Sequence, residues 1–315
     1  MSKSEQQVFV SGGTGYVGTQ VVRLLVDGMS QSPWNAVEVL ARSAESAARI
    51  SSLGAIPIDG DLLVEGQWQE RVSKAAFVIH CAQPSFGVEY DLRVKMEENL
   101  LRALNTDRRQ RAVFVYGSSY YGSSMDDQLM DESSPREPIG VGPSMEPCVK
   151  ALESAGANGL DYVAVFPGGI YGGGSWFLDS YIAAIKANQA IVLASPPPVW
   201  PYIHLMDCAR AIIFMLTVES QLLDDTGRHV IVVDDKPISM GEFVSLVGEQ
   251  MGQLPELQGV DAAELRKNLP QVAFEYLTSS MPHSNARLKQ LGFQLEYPGV
   301  REGLASLDLA ATPGI

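Results

Sequence analysis

Short apolar runs alternate with helically spaced apolar positions through the first half of the chain. Val8-Phe9-Val10 runs into the glycine-rich stretch from Ser11 to Gly18, and Val21, Val22, Leu24, Leu25 and Val26 then recur at helical spacing. That pattern predicts a buried strand, a tight turn and a helix. Val37, Val39 and Leu40 predict a second strand ending at Ala41-Arg42-Ser43. A helix over 44–53 follows, and then a short third strand, Ala55-Ile56-Pro57-Ile58, which enters Asp59-Gly60-Asp61-Leu62. Further on come a short helix at 68–73, a nearly continuous apolar strand at 76–82, a helix with a charged face at 92–104 and a strand at 112–116. After a polar, Pro- and Gly-rich surface loop at 125–144 the pattern resumes with a helix over 147–157 and a strand over 161–166. Strands apolar on both faces that alternate with helices predict a parallel sheet covered on both sides, an α/β doubly wound architecture.

From Ser175 the pattern changes. Helix candidates at 178–188, 208–218 and 240–251 alternate with short strands at 191–193 and 230–233, and proline becomes more frequent. The expected organisation is a nucleotide-binding part over 1–174, its sheet completed by parts of 190–235. A smaller, interleaved substrate-binding portion would cover 175–315.

Composition narrows the function. The chain has 315 residues, 46% of them hydrophobic, and a formal net charge of −14. That balance disfavours nucleic acid and anionic membrane surfaces as partners. No apolar run of about 18 residues is present, so no membrane span is expected, and the polar start, residues 1–7, lacks a signal-peptide core. The three cysteines, Cys81, Cys148 and Cys208, are widely spaced and suit a reducing cytoplasm. Four scattered histidines give no metal-ligand spacing.

Ligands of doubly wound sheets lie beyond the C-terminal strand ends. The glycine turn, with Gly12, Thr14, Gly15, Tyr16, Val17 and Gly18, would cradle a pyrophosphate on the N–H groups of the following helix. Arg42 ends the second strand, where a guanidinium suits a 2′-phosphate and Ser43 can assist. Glu38 is acidic but lies inside that strand. NADP(H) is therefore the expected cofactor, with NAD(H) as the alternative.

The order of motifs resembles the extended short-chain dehydrogenase/reductase superfamily of NAD-dependent epimerases, dehydratases and ketone reductases. Gly12, Gly15 and Gly18 match its GxxGxxG, and Asp61-Leu62 its adenine-contacting pair. His80-Cys81-Ala82 matches its strand-four element. Pro167-Gly168-Gly169-Ile170-Tyr171-Gly172 resembles its Pro-Gly-x-x-Tyr-Gly, and 202–207 its later His/Asp element. The stretches 284–288 and 291–293 resemble its C-terminal part. The resemblance implies a Rossmann sheet and a small-molecule substrate, with a homodimer as an available assembly. It also implies cofactor contacts from Cys81, Ala82, Gln83, Lys150, Pro167, Gly169 and Ile170.

One departure matters more than the matches. Lys150 with Glu153 fits the family's Lys-x-x-Glu, but Glu146 stands where a tyrosine usually precedes the lysine by one helical turn. The proton-handling candidates are therefore Ser119, Tyr120, Lys150 and Glu146. Pro84, Tyr116, Tyr121, Tyr171, Trp176, Trp200 and Tyr202 are candidates to line an apolar pocket. Three readings stay open: an NADP(H)-dependent oxidoreductase for a small apolar carbonyl or enone, a non-redox isomerase, dehydratase or cyclase on the same scaffold, and a dinucleotide-sensing protein without turnover.

Overall fold

A computed structural model describes residues 6–84, 90–105, 110–124 and 128–309. The first five residues of the polar start, and 125–127 of the expected surface loop, lie outside them. The strands are β1 (Gln7–Ser11), β2 (Ala36–Ala41), β3 (Ile56–Asp59), β4 (Phe77–His80), β5 (Arg111–Val115), β6 (Asp161–Pro167), β7 (Gly169–Tyr171), β8 (Ile191–Ala194), β9 (Val199–Trp200), β10 (Tyr202–His204), β11 (His229–Val232), β12 (Ile238–Ser239) and β13 (Leu257–Val260). The helices are α1 (Tyr16–Asp27), α2 (Ala44–Ser52), α3 (Trp68–Lys74), α4 (Tyr90–Ala103), α5 (Glu146–Ala157), α6 (Trp176–Lys186), α7 (Leu205–Phe214), α8 (Met240–Met251), α9 (Ala262–Asn268), α10 (Gln271–Thr278), α11 (Ala286–Gln290) and α12 (Val300–Ala305). None is long and apolar enough to cross a membrane among the described residues.

Seven strands form one sheet in the order β11-β6-β5-β4-β1-β2-β3. The pairings among β1 to β6 are all parallel, so the sheet is doubly wound. The chain winds outward to β3 on one side of β1, then returns to start β4 on the other. That reversal falls between β1 and β4, and the ends of the strands at such a reversal are where doubly wound sheets take their ligands. Val8, Phe9 and Val10 of β1 and Val78 and Ile79 of β4 are completely buried, which explains their unbroken apolar run.

Most expected elements fall within a residue or two of their observed bounds. The exception is the helix expected at 208–218, which is α7 and ends at Phe214. There the Thr217 side chain donates to the Phe214 carbonyl at 3.2 Å and Leu216 N–H turns back to Ile213, so the last turn tightens and the helix stops.

The chain divides into two compact, interleaved units. The first comprises Met1–Tyr116, Ser144–Val165 and Ala209–His229. The second comprises Gly117–Pro143, Phe166–Cys208 and Val230–Ile315. The second unit has its own core, in which Tyr171, Phe177, Tyr202 and Phe243 pack with Leu178, Ile182, Val244 and Val247. Tyr202 stacks on Phe243 with ring centroids 4.3 Å apart.

Candidate active site

In the first unit the glycine turn closes tightly, with Gly15 N–H donating to the Gly12 carbonyl at 3.0 Å. Three of its four glycines are demanded by packing. Gly12 has φ +78°, and a Cβ there would stand 2.4 Å from Ala82 N. A Cβ on Gly13 would stand 2.4 Å from Val39 Cγ1, and one on Gly18 2.0 Å from the Gly12 carbonyl oxygen. Gly15 is different. Its φ of −75° is ordinary, and a Cβ would meet only the Gly12 oxygen at 3.3 Å. Gly15 therefore keeps bare backbone at the mouth of α1, where the first N–H groups of a helix and its dipole favour an anion. Thr14 sits in this same turn, and Tyr16 and Val17 open α1. The cradle fits a dinucleotide pyrophosphate.

Cys81 and Ala82 form the floor of the turn. Cys81 N–H donates to the Ser11 carbonyl at 3.0 Å, continuing the β1–β4 ladder. Ser11 Oγ lies 2.7 Å from His80 Nδ1, and burial pushes the His80 imidazole down to about 3, so it is neutral. The Gln83 amide donates to the Val115 carbonyl at 2.8 Å, tying the β4 exit to β5, and Pro84 follows, half-buried.

Beyond β2 and β3, Arg42 and Asp61 line one cavity of about 760 Å³, with Asp59, Glu65, Arg71 and Lys74 among its other walls. Arg42 is exposed. Ser43 caps α2, its side chain accepting from Ser46 N–H at 3.1 Å. Asp61 accepts from Leu63 N–H at 2.9 Å, while the buried Leu62 offers its carbonyl to Asn99. Glu38 is 0% exposed and both its oxygens are held by Arg71. Its carboxylate is thus committed inside the sheet. Sequence reasoning missed Arg49, whose guanidinium reaches from α2 to the Thr14 carbonyl at 3.3 Å and adds a second cation beside the turn. Nothing in its spacing marked it.

On α5, Lys150 is exposed and pairs with Glu146 at 3.0 Å, one turn earlier. The residue in the usual tyrosine position is therefore the lysine's ion-pair partner. Tyr116, just past β5, donates its hydroxyl to Glu97 at 2.7 Å in a buried pair.

Burial raises the Glu97 carboxyl to about 7, against the Tyr116 hydrogen bond and the Arg93 charge, which lower it. Glu132, in the second unit, is raised by burial to about 7 as well, although it accepts from Ile231 N–H. In both cases the folded protein keeps a proton that the unfolded chain releases at about 4.5. Stability is thus fully present below that value and falls as pH rises to about 7, by roughly 3 kcal/mol for Glu97 alone. Urea midpoints should drop between pH 5 and pH 8, and Glu97→Gln should remove a large part of the drop. A wild-type midpoint that does not move over this range would refute the assignment.

The second unit carries the remaining candidates. Ser119 is 6% exposed, and its Oγ accepts from the Tyr276 phenol at 3.1 Å. Tyr120 is 0% exposed, stacks on Phe166 at 5.2 Å and accepts from Arg136 at 2.9 Å. Tyr121 is equally buried, edge-on to the same Phe166. After Pro167 the chain turns into β7. There Gly169 and Ile170 pair with Tyr202 and Ile203, and Gly169 N–H donates to the Pro201 carbonyl at 2.7 Å. Tyr171 and Tyr202 are inside the aromatic core, and the Tyr171 hydroxyl donates to Asp234 at 3.2 Å. Trp176 is 77% exposed at the start of α6, and Trp200 is half-buried against Tyr276 with ring centroids 5.8 Å apart. The structure thus brings Trp200 and Ser119 to Tyr276, and places Tyr120, Tyr121, Tyr171 and Tyr202 in packed interiors. Tyr276 is the second residue that sequence reasoning missed.

The model of the family described as "NAD dependent epimerase/dehydratase family" matches residues 8–226. A 4-hydroxy-2-methyl-3-oxo-4-farnesyl-3,4-dihydroquinoline-1-oxide ketoreductase from Stigmatella aurantiaca is 25% identical over 264 residues, 81% of this chain and 76% of the relative. The structure is similar to that of a UDP-N-acetylglucosamine 4-epimerase from Methanobrevibacter ruminantium M1, with TM-score 0.73, 18% identity and 96% of each chain covered. It is also similar to a UDP-glucose 4-epimerase from Thermus thermophilus, solved in complex with NAD. There the TM-score is 0.69, the identity 19%, and the coverage 95% of this chain and 97% of the other.

Proposed function

This chain belongs to the NAD dependent epimerase/dehydratase family, and from that premise we propose that it is an NADP(H)-dependent oxidoreductase acting on a small, largely apolar carbonyl- or enone-bearing molecule. The observation that carries the cofactor preference is the charge arrangement at the end of β2. Arg42 is exposed on the cavity it shares with Asp61, while the acid of that strand, Glu38, is buried and held by Arg71. A ribose 2′-phosphate at the strand end would meet a guanidinium and no carboxylate from β2 itself. The ketoreductase relative and the half-buried Trp200 support the substrate class.

When bound, the cofactor supplies or accepts a hydride. The chain's own residues do the rest. Gly15 leaves room for the pyrophosphate, and Asp61 and Arg42 hold the adenosine end. Lys150, kept in place by Glu146, can donate to the ribose hydroxyls of the nicotinamide half. Ser119 can donate its hydroxyl to the substrate oxygen.

Arg42→Ala should weaken NADPH about 10- to 100-fold, the worth of one or two charge-assisted hydrogen bonds, and weaken NADH much less. Fluorescence titration of both reduced nucleotides measures this, and an equal loss for both would sink the preference. Turnover is tested by NADPH absorbance in the presence of 2-cyclohexenone, acetophenone and 9,10-phenanthrenequinone. Tight NADPH binding with no turnover of any of them would favour the sensing reading instead.

A further inference from the structure

A single strap of the second unit, residues 139–142, holds two hydroxyls side by side. Ile139 N–H donates to the Ser119 carbonyl at 3.1 Å, and a Cβ on Gly142 would stand 2.2 Å from that same carbonyl oxygen. Val141 N–H donates to the Tyr276 phenol oxygen at 3.3 Å, and Gly140 N–H to the neighbouring Glu275 carboxylate at 2.7 Å. Gly140 has φ +59°, and a Cβ there would stand 2.4 Å from two carbons of the Tyr276 ring. Glycine is therefore what lets the ring lie against the strap. From the other side, the Trp200 indole donates to the Tyr276 carbonyl at 2.9 Å. The product of all these contacts is the 3.1 Å bond from the Tyr276 phenol to Ser119 Oγ. Tyr276 is half-buried, whereas Tyr120 is sealed and bound to Arg136.

We propose that Tyr276 is the general acid/base of this chain, acting with Ser119 in place of the helix-borne tyrosine whose position Glu146 occupies. The inference rests on the carbonyl oxidoreductase reading above. Two oxygens at this separation can both hydrogen-bond to a third placed about 2.8 Å from each. That is the arrangement needed to stabilise negative charge developing on a carbonyl oxygen. As the carbonyl carbon takes a hydride from a reduced nicotinamide dinucleotide, the C=O π pair moves onto oxygen, and that oxygen takes the Tyr276 proton. The carbonyl is reduced by two electrons and the dinucleotide is oxidised. The tyrosinate left behind is stabilised by Val141 N–H, while the Ser119 hydroxyl stays on the product oxygen, and water reprotonates it. In the oxidising direction Tyr276 accepts the proton.

The test uses the full chain, NADPH and whichever of 2-cyclohexenone, acetophenone or 9,10-phenanthrenequinone the wild type reduces. Tyr276→Phe keeps the ring and its packing, so the thermal midpoint and the NADPH affinity from fluorescence titration should stay near wild type. Its kcat should fall about 10²- to 10⁴-fold, the usual worth of general acid catalysis, and its pH profile should flatten. Ser119→Ala should also lose rate, but with a profile that still titrates, because the phenol remains. A wild-type rate and profile in Tyr276→Phe overturns the proposal. So does a flattened profile found in Tyr120→Phe and not in Tyr276→Phe. A wild type that binds NADPH and reduces none of the three carbonyls overturns the oxidoreductase reading, and the inference goes with it.

Discussion

Gly15→Ala should cost the chain its dinucleotide while leaving the fold in place, and Gly18→Ala should cost it both. The two glycines belong to one motif and look equivalent along the chain. In the structure they answer to different demands. A Cβ on Gly18 would lie 2.0 Å from the Gly12 carbonyl oxygen and 2.8 Å from its carbon, both main-chain atoms that cannot swing away. The turn would have to open, and α1 would lift from β1. A Cβ on Gly15 meets only one atom, at 3.3 Å, in a backbone conformation that alanine adopts freely. Losing glycine from this capping position costs roughly 1 kcal/mol or less. The same methyl group would stand where a pyrophosphate must approach the α1 N–H groups. A binding loss of about 100-fold, or some 2–3 kcal/mol, is expected from the charge-assisted hydrogen bonds forfeited. Thermal melts paired with NADPH titrations separate the two effects. Unchanged NADPH affinity in Gly15→Ala would remove this glycine from the cofactor site, and a wild-type melt in Gly18→Ala would show that the turn yields more easily than its geometry implies.

Arg111→Met should destabilise the first unit by about 3–5 kcal/mol, the usual cost of breaking a buried charge network by removing one partner. Arg111 opens β5, and its side chain is only 9% exposed. It donates to Asp161 at 2.8 Å, to the Met215 and Val218 carbonyls at 2.9 Å each, and to Ser220 at 2.7 Å. Arg228 holds the other oxygen of Asp161. One guanidinium thus fastens the starts of β5 and β6 to the turn after α7. Methionine can fill the aliphatic volume, but it strands two carbonyls and leaves one Asp161 oxygen to the Ser220 hydroxyl. Urea denaturation at pH 7 measures the loss. A change below about 1 kcal/mol would mean that water or Arg228 takes over the contacts.

How much of this was legible in the chain depended on the range of the interaction. β1, the glycine turn and α1 were readable because each rests on neighbours in sequence: an apolar run, a sharp turn, a 3.6-residue period. The doubly wound order was readable because a strand buried on both faces carries no polar alternation. Arg42 was readable as a strand-end cation. The short C-terminal helices were not. α10 has eight residues, none fully buried, too few for a periodic stripe to declare itself. Arg111 stands just before the strand expected at 112–116 and carried no signal of its own, since all of its partners lie 50 to 109 residues away. Glu38 was legible as an acid inside a strand, but its capture by Arg71, 33 residues on, was not.

By itself, then, the sequence determined the sheet, the dinucleotide turn and the absence of a tyrosine one helical turn before Lys150, because these depend on periodicity and on residue identity at fixed spacing. Only the tertiary structure decided which of the four glycines the fold can spare, and which hydroxyl stands beside Ser119. The bond from Tyr276 to Ser119 joins residues 157 positions apart. It exists because a strap with glycine at 140 and 142 presses one short helix against the segment after β5, a juxtaposition that no local pattern encodes.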